Sequence, residues 1–313
     1  MMIRRIAITA ALAAATVFSL SAQTESAEDY HRRYEGLTSR VGLGGAGVES
    51  LLSRWEADYP EDVQMLEAKY LYYFTKCRES RIVQKSQDKF LGVPPVLSLA
   101  DSLGNPVNYF EEFFYDDELY GQADAAIEKA VRVAPERLDL RLARVSTMMA
   151  YEKESPDMAA SALRQIIDYN YVSHPSWTFS EAPVDKEAFK EIIQDYLVTL
   201  YQTATPVSRK AFKDLSEKMT SYNPKEVIFL NNVGSYYMAE AKDNKTALKY
   251  FNKVLKLKPS DETAIRNCII IARSTKDVKM EKKYLAMMAK YASSEVDRQS
   301  ATVRLNALNE KKK

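Results

Sequence analysis

The chain holds few residues whose type and spacing could do chemistry. Its only histidines, His31 and His174, stand far apart, so no His pair has the helical spacing that grips zinc. Cys77 and Cys268 form no Cys-x-x-Cys pair, no glycine-rich segment could cradle a phosphate, and no Gly-x-Ser-x-Gly elbow presents a nucleophile. The 43 acids offer carboxylate pairs on helix faces, but these act as acid and base only inside a closed, apolar-walled pocket. The expectation is a protein that is not an enzyme and takes no cofactor or metal. Lys+Arg of 44 against Asp+Glu of 43 gives a net charge of +1, which supplies no one-sided basic field for nucleic acid.

Binding residues are easier to find, and most are aromatic. The run Tyr109-Phe110-Glu111-Glu112-Phe113-Phe114-Tyr115-Asp116-Asp117-Glu118-Leu119-Tyr120 reads as a helix, with Phe110, Phe113, Phe114 and Leu119 on one apolar face and the acids outside. A second reading makes it a surface for a basic partner. Tyr109, Tyr115, Tyr171 and Trp177 lie in or beside two long connections and could stack on sugars. A glycan or envelope polymer is therefore the alternative partner, provided these rings form an open platform and are not buried between helices.

Apolar spacing places the elements that must position these residues. Val48, Leu51, Leu52 and Trp55 share one helix face ending near Pro60, and Met65, Leu66, Ala68, Tyr70, Leu71 and Tyr73 continue as the next helix. Further helices are expected over residues 28–39, 138–151, 156–169, 184–202, 207–222, 262–273, 278–291 and 295–309. Residues 78–108, with Pro94-Pro95 and Gly104-Asn105-Pro106, and residues 171–183 break the pattern and are read as loop insertions. Both exceed the 2–8 residues usual between helices.

Residues 227–259 carry a more specific pattern: Leu230, Val233, Gly234 and Tyr237, then Ala247, Phe251, Val254 and Pro259. This resembles the tetratricopeptide repeat, a helix pair of about 34 residues. The likeness is specific over residues 227–291. Upstream it rests on the spacing of Pro60, Pro135, Pro224 and Pro259 and on Ala123, Ile127 and Ala130. The resemblance implies an all-α fold, a right-handed superhelical solenoid of five to six irregular antiparallel helix pairs with two loop insertions. It implies a scaffold that binds a protein or peptide in its concave groove. By repeat register the groove residues are Asn231, Ser235, Arg266, Asn267 and Arg273. Asn and Arg there match part of the set with which some such modules grip a C-terminal carboxylate, although the matching Lys positions are not filled. Solvated groove residues without a fixed ligand are the other reading. Cys77 and Cys268 fall at opposite ends of such a solenoid, which makes them unbridged buried residues.

At the start of the chain, Arg4 and Arg5 precede an apolar run over residues 6–20 that ends in Ser21-Ala22-Gln23. That is the layout of a secretory signal cut after Ala22. The run of about 15 residues is short of the roughly 20 that span a membrane, and no Cys follows it to carry a lipid. The product is expected to be exported, periplasmic or secreted, not a lipoprotein, and without a membrane span. The Ser21-Ala22-Gln23 exit and the triplet Asp101-Ser102-Leu103 resemble those of secreted tetratricopeptide proteins of Bacteroidetes-type bacteria. The resemblance implies O-glycosylation at Ser102, though a three-residue match also arises by chance. The chain thus divides into a signal (1–22), an N-terminal helix and Gly-rich linker (23–45), irregular repeats (46–170, insertion about 79–108), a loop (171–183), the better-formed repeats (184–292), and a capping helix with a Lys-rich tail (293–313).

Overall fold

A computed structural model describes residues 25–310. The expected signal at residues 1–22 and the lysines at 311–313 lie outside the described residues. The fold is mostly helical: α1 (Ala27–Val41), α2 (Val48–Asp58), α3 (Val63–Lys76), α4 (Asp117–Val133), α5 (Leu138–Glu152), α6 (Asp157–Ser173), α7 (Lys186–Thr203), α8 (Pro206–Tyr222), α9 (Val227–Ala239), α10 (Asn244–Leu257), α11 (Glu262–Ser274), α12 (Val278–Tyr291) and α13 (Glu295–Glu310). Helix starts are written locally. Ser26, Asp62, Asp116, Asp185, Thr205, Asp243, Asp261 and Asp277 each accept a backbone N–H in the first turn of the helix that follows, which satisfies a donor the helix itself leaves unpaired.

The helices pack largely in chain order, except that beyond α5 helix α6 packs chiefly on α8, with additional contacts of α1 on α3 and α9 on α11. Three apolar cores follow one another along the chain. The first joins α1 through α4 to Leu140, the second runs from Leu138 to Phe229, and the third from Leu230 to Leu308. Such tiling, with each core shared only by sequence neighbours, is compatible with a helical repeat fold. At α9 and α10 the approach is closest where Gly234 meets Phe251: a Cβ on Gly234 would stand 2.7 Å from the ring. Among the described residues no helix is long and apolar enough to cross a membrane. Cys77 and Cys268 are both buried and unbridged.

Two expectations are corrected. Residues 78–108, read as a loop insertion, instead carry a small sheet within the mostly helical fold. β1 (Arg78–Lys85), β2 (Leu97–Ala100) and β3 (Pro106–Tyr115) form an antiparallel sheet in the order β1-β3-β2, inserted between α3 and α4. The aromatic run is not a helix from Tyr109 onward either. Its first half is β3, paired residue for residue with β1 from Arg78↔Tyr115 to Lys85↔Asn108, and Asp116 then caps α4 by accepting from Leu119 N–H at 2.9 Å. Dense aromatics suit a strand as well as a helix, and the acids taken for an outer helix face are a capping signal. The segment at residues 171–183 holds the end of α6 and a short hairpin of β4 (Thr178–Phe179) and β5 (Ala182–Pro183).

Candidate functional site: the cavity beneath the inserted sheet

The odd-numbered helices are tied to one another by polar side chains, which marks a shared side. Tyr70 on α3 bonds Thr147 on α5 at 2.7 Å, Ser146 on α5 bonds Tyr196 on α7 at 2.8 Å, and Asn232 on α9 donates to Gln194 on α7 at 2.7 Å. Asn267 on α11 reaches Ser235 on α9 at 3.5 Å, and Arg266 reaches Asp297 on α13 at 3.2 Å.

The inserted sheet bends over this side at α5 and α7. Its tip is a two-residue turn in which Phe90 and Val93 exchange both backbone hydrogen bonds at 2.9 Å. Leu91 and Gly92 both have positive φ there, as such a turn requires. The tip seats on the C-terminal end of α7 so closely that a Cβ on Gly92 would lie 1.8 Å from the carbonyl oxygen of Gln202. Between sheet and helices lies a half-open cavity of about 620 Å³. Its walls are mostly apolar: Phe90, Val93, Pro94, Val96, Phe110, Phe113 and Tyr115 from the sheet, and Met149, Ala150 and Pro156 from the helix side. Ser146, Lys153, Asp195, Tyr196, Thr199, Thr203, Glu111 and Glu112 add the polar groups. The size and the mix of apolar wall with few polar groups are those of ligand-binding pockets.

One ion cluster clamps the sheet. Glu112 on β3 takes the ammonium groups of Lys85 and Lys153, each at 2.9 Å, with its side chain only 13% exposed. Burial works against the carboxylate, but hydrogen bonds and charge from Lys153 and Lys85 outweigh it and hold the pKa below its ordinary value. Lys85 also lies over the Phe90 ring at 3.8 Å and Lys153 over Phe114 at 4.6 Å, so the cations bind strands and loop together. Lys153 is the residue after α5, at φ 52° and ψ −96°, a backbone conformation that costs about 1–3 kcal/mol in a non-glycine residue. The clamp holds it there.

The residues expected to line the groove fare differently. Ser235 and Asn267 face each other, and Arg266 is exposed beside Asp297. Arg273 pairs at 2.9 Å with Glu281, which also takes Arg304 at 3.0 Å, so Arg273 ties α11 to α12 and α13. Arg266 and Arg273 flank a smaller cavity of about 180 Å³ against α13. Asn231 is buried at 8% exposure, and its amide donates at 3.0 Å to Asp261, the cap of α11. It joins helices inside the protein and has no groove face. Leu230, Gly234, Ala247 and Phe251 are buried between α9 and α10, Tyr237 is half-buried, and Pro259 follows α10. Ser102 is exposed in the β2–β3 turn, where Asp101 accepts from the backbone N–H of Leu103 and Asn105, each at 2.8 Å.

The aromatic residues named for glycan stacking do not meet. Trp177 is 3% exposed in the second core, with its indole N–H on Asn170. Tyr171 stacks on Tyr222 at 4.5 Å, and Tyr115 on Phe74 at 6.1 Å. Sequence reasoning missed Asp195 as a site residue and placed Glu112 only among the acids of an outer helix face or of a surface for a basic partner. The spacing of Ser146, Met149 and Ala150 marks one face of α5, with Lys153 just past its end, but nothing local says that a sheet lies over it. No family model matches this chain, and no curated protein matches it.

Proposed function

We propose that this chain is an exported, non-catalytic scaffold of tetratricopeptide type, periplasmic or secreted. In this reading six antiparallel helix pairs wind into a right-handed superhelix closed by α13. A segment of a partner protein lies on the side lined by the odd-numbered helices, with its anchor in the cavity under the sheet. The sequential cores and the Gly234–Phe251 approach support the repeat reading, because a small residue is needed where two helix axes come closest. The observation that carries the binding reading is the cavity itself, a ligand-sized, apolar-walled space on the face such scaffolds use. The C-terminal groove is a weaker seat, since Arg266, Asn267 and Arg273 are already engaged with neighbouring helices.

The test is to fill the cavity. Ala150→Trp on α5 places an indole in the space and leaves the clamp residues Lys85, Glu112 and Lys153 unsubstituted. Wild-type protein immobilised in envelope extract of the producing cells should retain a partner protein that the variant loses while keeping its helical circular dichroism. Identical retention by both proteins would refute the cavity as the seat.

A further inference from the structure

We propose that the anchor taken by this cavity is cationic as well as apolar: one or two aliphatic or aromatic side chains flanked in the partner's sequence by Lys or Arg, with the basic group lying along α7 against Asp195. The inference rests on the cavity being the partner's seat and adds what chemistry it selects.

The argument comes from where the hydrogens are. Tyr196 donates its single hydroxyl hydrogen to the backbone oxygen of Leu142 at 3.0 Å, so in its 2.8 Å bond with Ser146 the serine is the donor. Thr199 donates to the backbone oxygen of Asp195 at 3.0 Å, and Thr203 to that of Thr199 at 2.9 Å. The hydroxyls of Ser146, Tyr196, Thr199 and Thr203 on the helix wall have thus spent their hydrogens inside the protein and face a ligand only with lone pairs. The carboxylates accept and cannot donate. The remaining side-chain donors on the wall are Lys153, which is committed to Glu112, and the Tyr115 hydroxyl on the sheet side.

Charge points the same way. Three carboxylates and one ammonium line the cavity. Glu112 is matched by Lys153 and Lys85, and Glu111 accepts from Ser80 at 2.5 Å. Among the described residues no basic side chain pairs with Asp195, which is exposed on α7. Asp195, Thr199 and Thr203 stand at i, i+4 and i+8, a row of acceptors about 12 Å long at 1.5 Å rise per residue. That length suits an extended basic side chain and its backbone N–H. An anionic or acceptor-rich segment would set acceptor against acceptor and bring like charge beside Asp195.

The experiment uses the purified full chain and three pools of acetylated, amidated hexapeptides. Two pools carry Phe, Leu, Ile or Val at both central positions, flanked by Lys in one and by Glu in the other; the third carries Ser at the centre, flanked by Lys. Binding is followed by calorimetry at low ionic strength for wild type, Asp195→Asn and Ala150→Trp. The expected result is that the apolar Lys pool binds roughly fivefold more tightly than the Glu pool, in line with an exposed charge pair. Asp195→Asn should erase most of that preference, and the Ser pool should not bind. Equal binding of the Lys and Glu pools, lost in Ala150→Trp, would overturn the cation selection and leave the seat standing. Binding unchanged in Ala150→Trp, or none from any pool, would overturn both.

Discussion

Gly92 is the point at which the sheet can be lifted without disturbing the cores. Its φ of +79° is in the left-handed region, where an L-residue with a Cβ costs about 1–2 kcal/mol. The added Cβ of Gly92→Ala would also lie 1.8 Å from the Gln202 carbonyl oxygen and 2.8 Å from its carbon. Both are backbone atoms at the end of α7 and cannot swing aside, so the turn must retreat by more than an ångström to reach a tolerable contact. The native docking of the tip is thus destabilised by at least the backbone cost. By RT ln K, about 1–2 kcal/mol is a roughly five- to thirtyfold gain in the open population. Hydrogen exchange at the Phe90 and Val93 amides should quicken by that factor. The helices should melt within about 2–4 °C of wild type, because none of the three apolar cores includes a residue of the sheet. Peptide binding in the cavity should weaken in step with the opening. The reasoning is refuted if the Phe90 and Val93 amides stay as protected as in wild type, or if the whole chain unfolds together with the turn.

Two further outcomes follow from the same geometry. Gly234→Ala places a Cβ 2.7 Å from the fully buried Phe251 ring. Overpacking costs about 1–3 kcal/mol and helix propensity returns up to about 1, so urea unfolding should show a net loss of about 1–2 kcal/mol, and an unchanged or raised midpoint would contradict the close approach. The Glu112 clamp gives a pH signature: its folded pKa lies below the ordinary 4.5, so its stabilisation is complete above that value and is lost as pH falls through the folded pKa. Exchange protection of β1 and β3 should hold from pH 7 to about 5 and then fall, whereas Glu112→Gln should be weaker at pH 7 and lack that drop.

How much of this was legible in the chain depends on how local each signal is. The helices were, since an Asp, Ser or Thr cap and a 3.6-residue apolar rhythm act over one or two turns. Asp261 before α11 and Ala123, Ile127 and Ala130 within α4 can be read without knowing their neighbours. The run from Tyr109 to Tyr120 could not, because Phe110, Phe113 and Phe114 satisfy a helix face and a strand equally. The choice belongs to Arg78–Lys85, some thirty residues upstream, whose pairing makes β3. Asn231 was misplaced for a related reason: repeat register gives a position on a helix, but Asp261, thirty residues on, turned that amide inward.

The sequence by itself determined a train of amphipathic helices with small residues where axes meet, and a chain with little catalytic inventory, because composition and short-range spacing carry that information. Only the tertiary structure decided that a sheet springs from between α3 and α4, that Gly92 seats it on α7, and that Glu112 locks it with Lys85 and Lys153. Long-range strand pairing and ion clamps depend on which surfaces the packed helices bring within reach. The cavity exists only where those separate decisions meet.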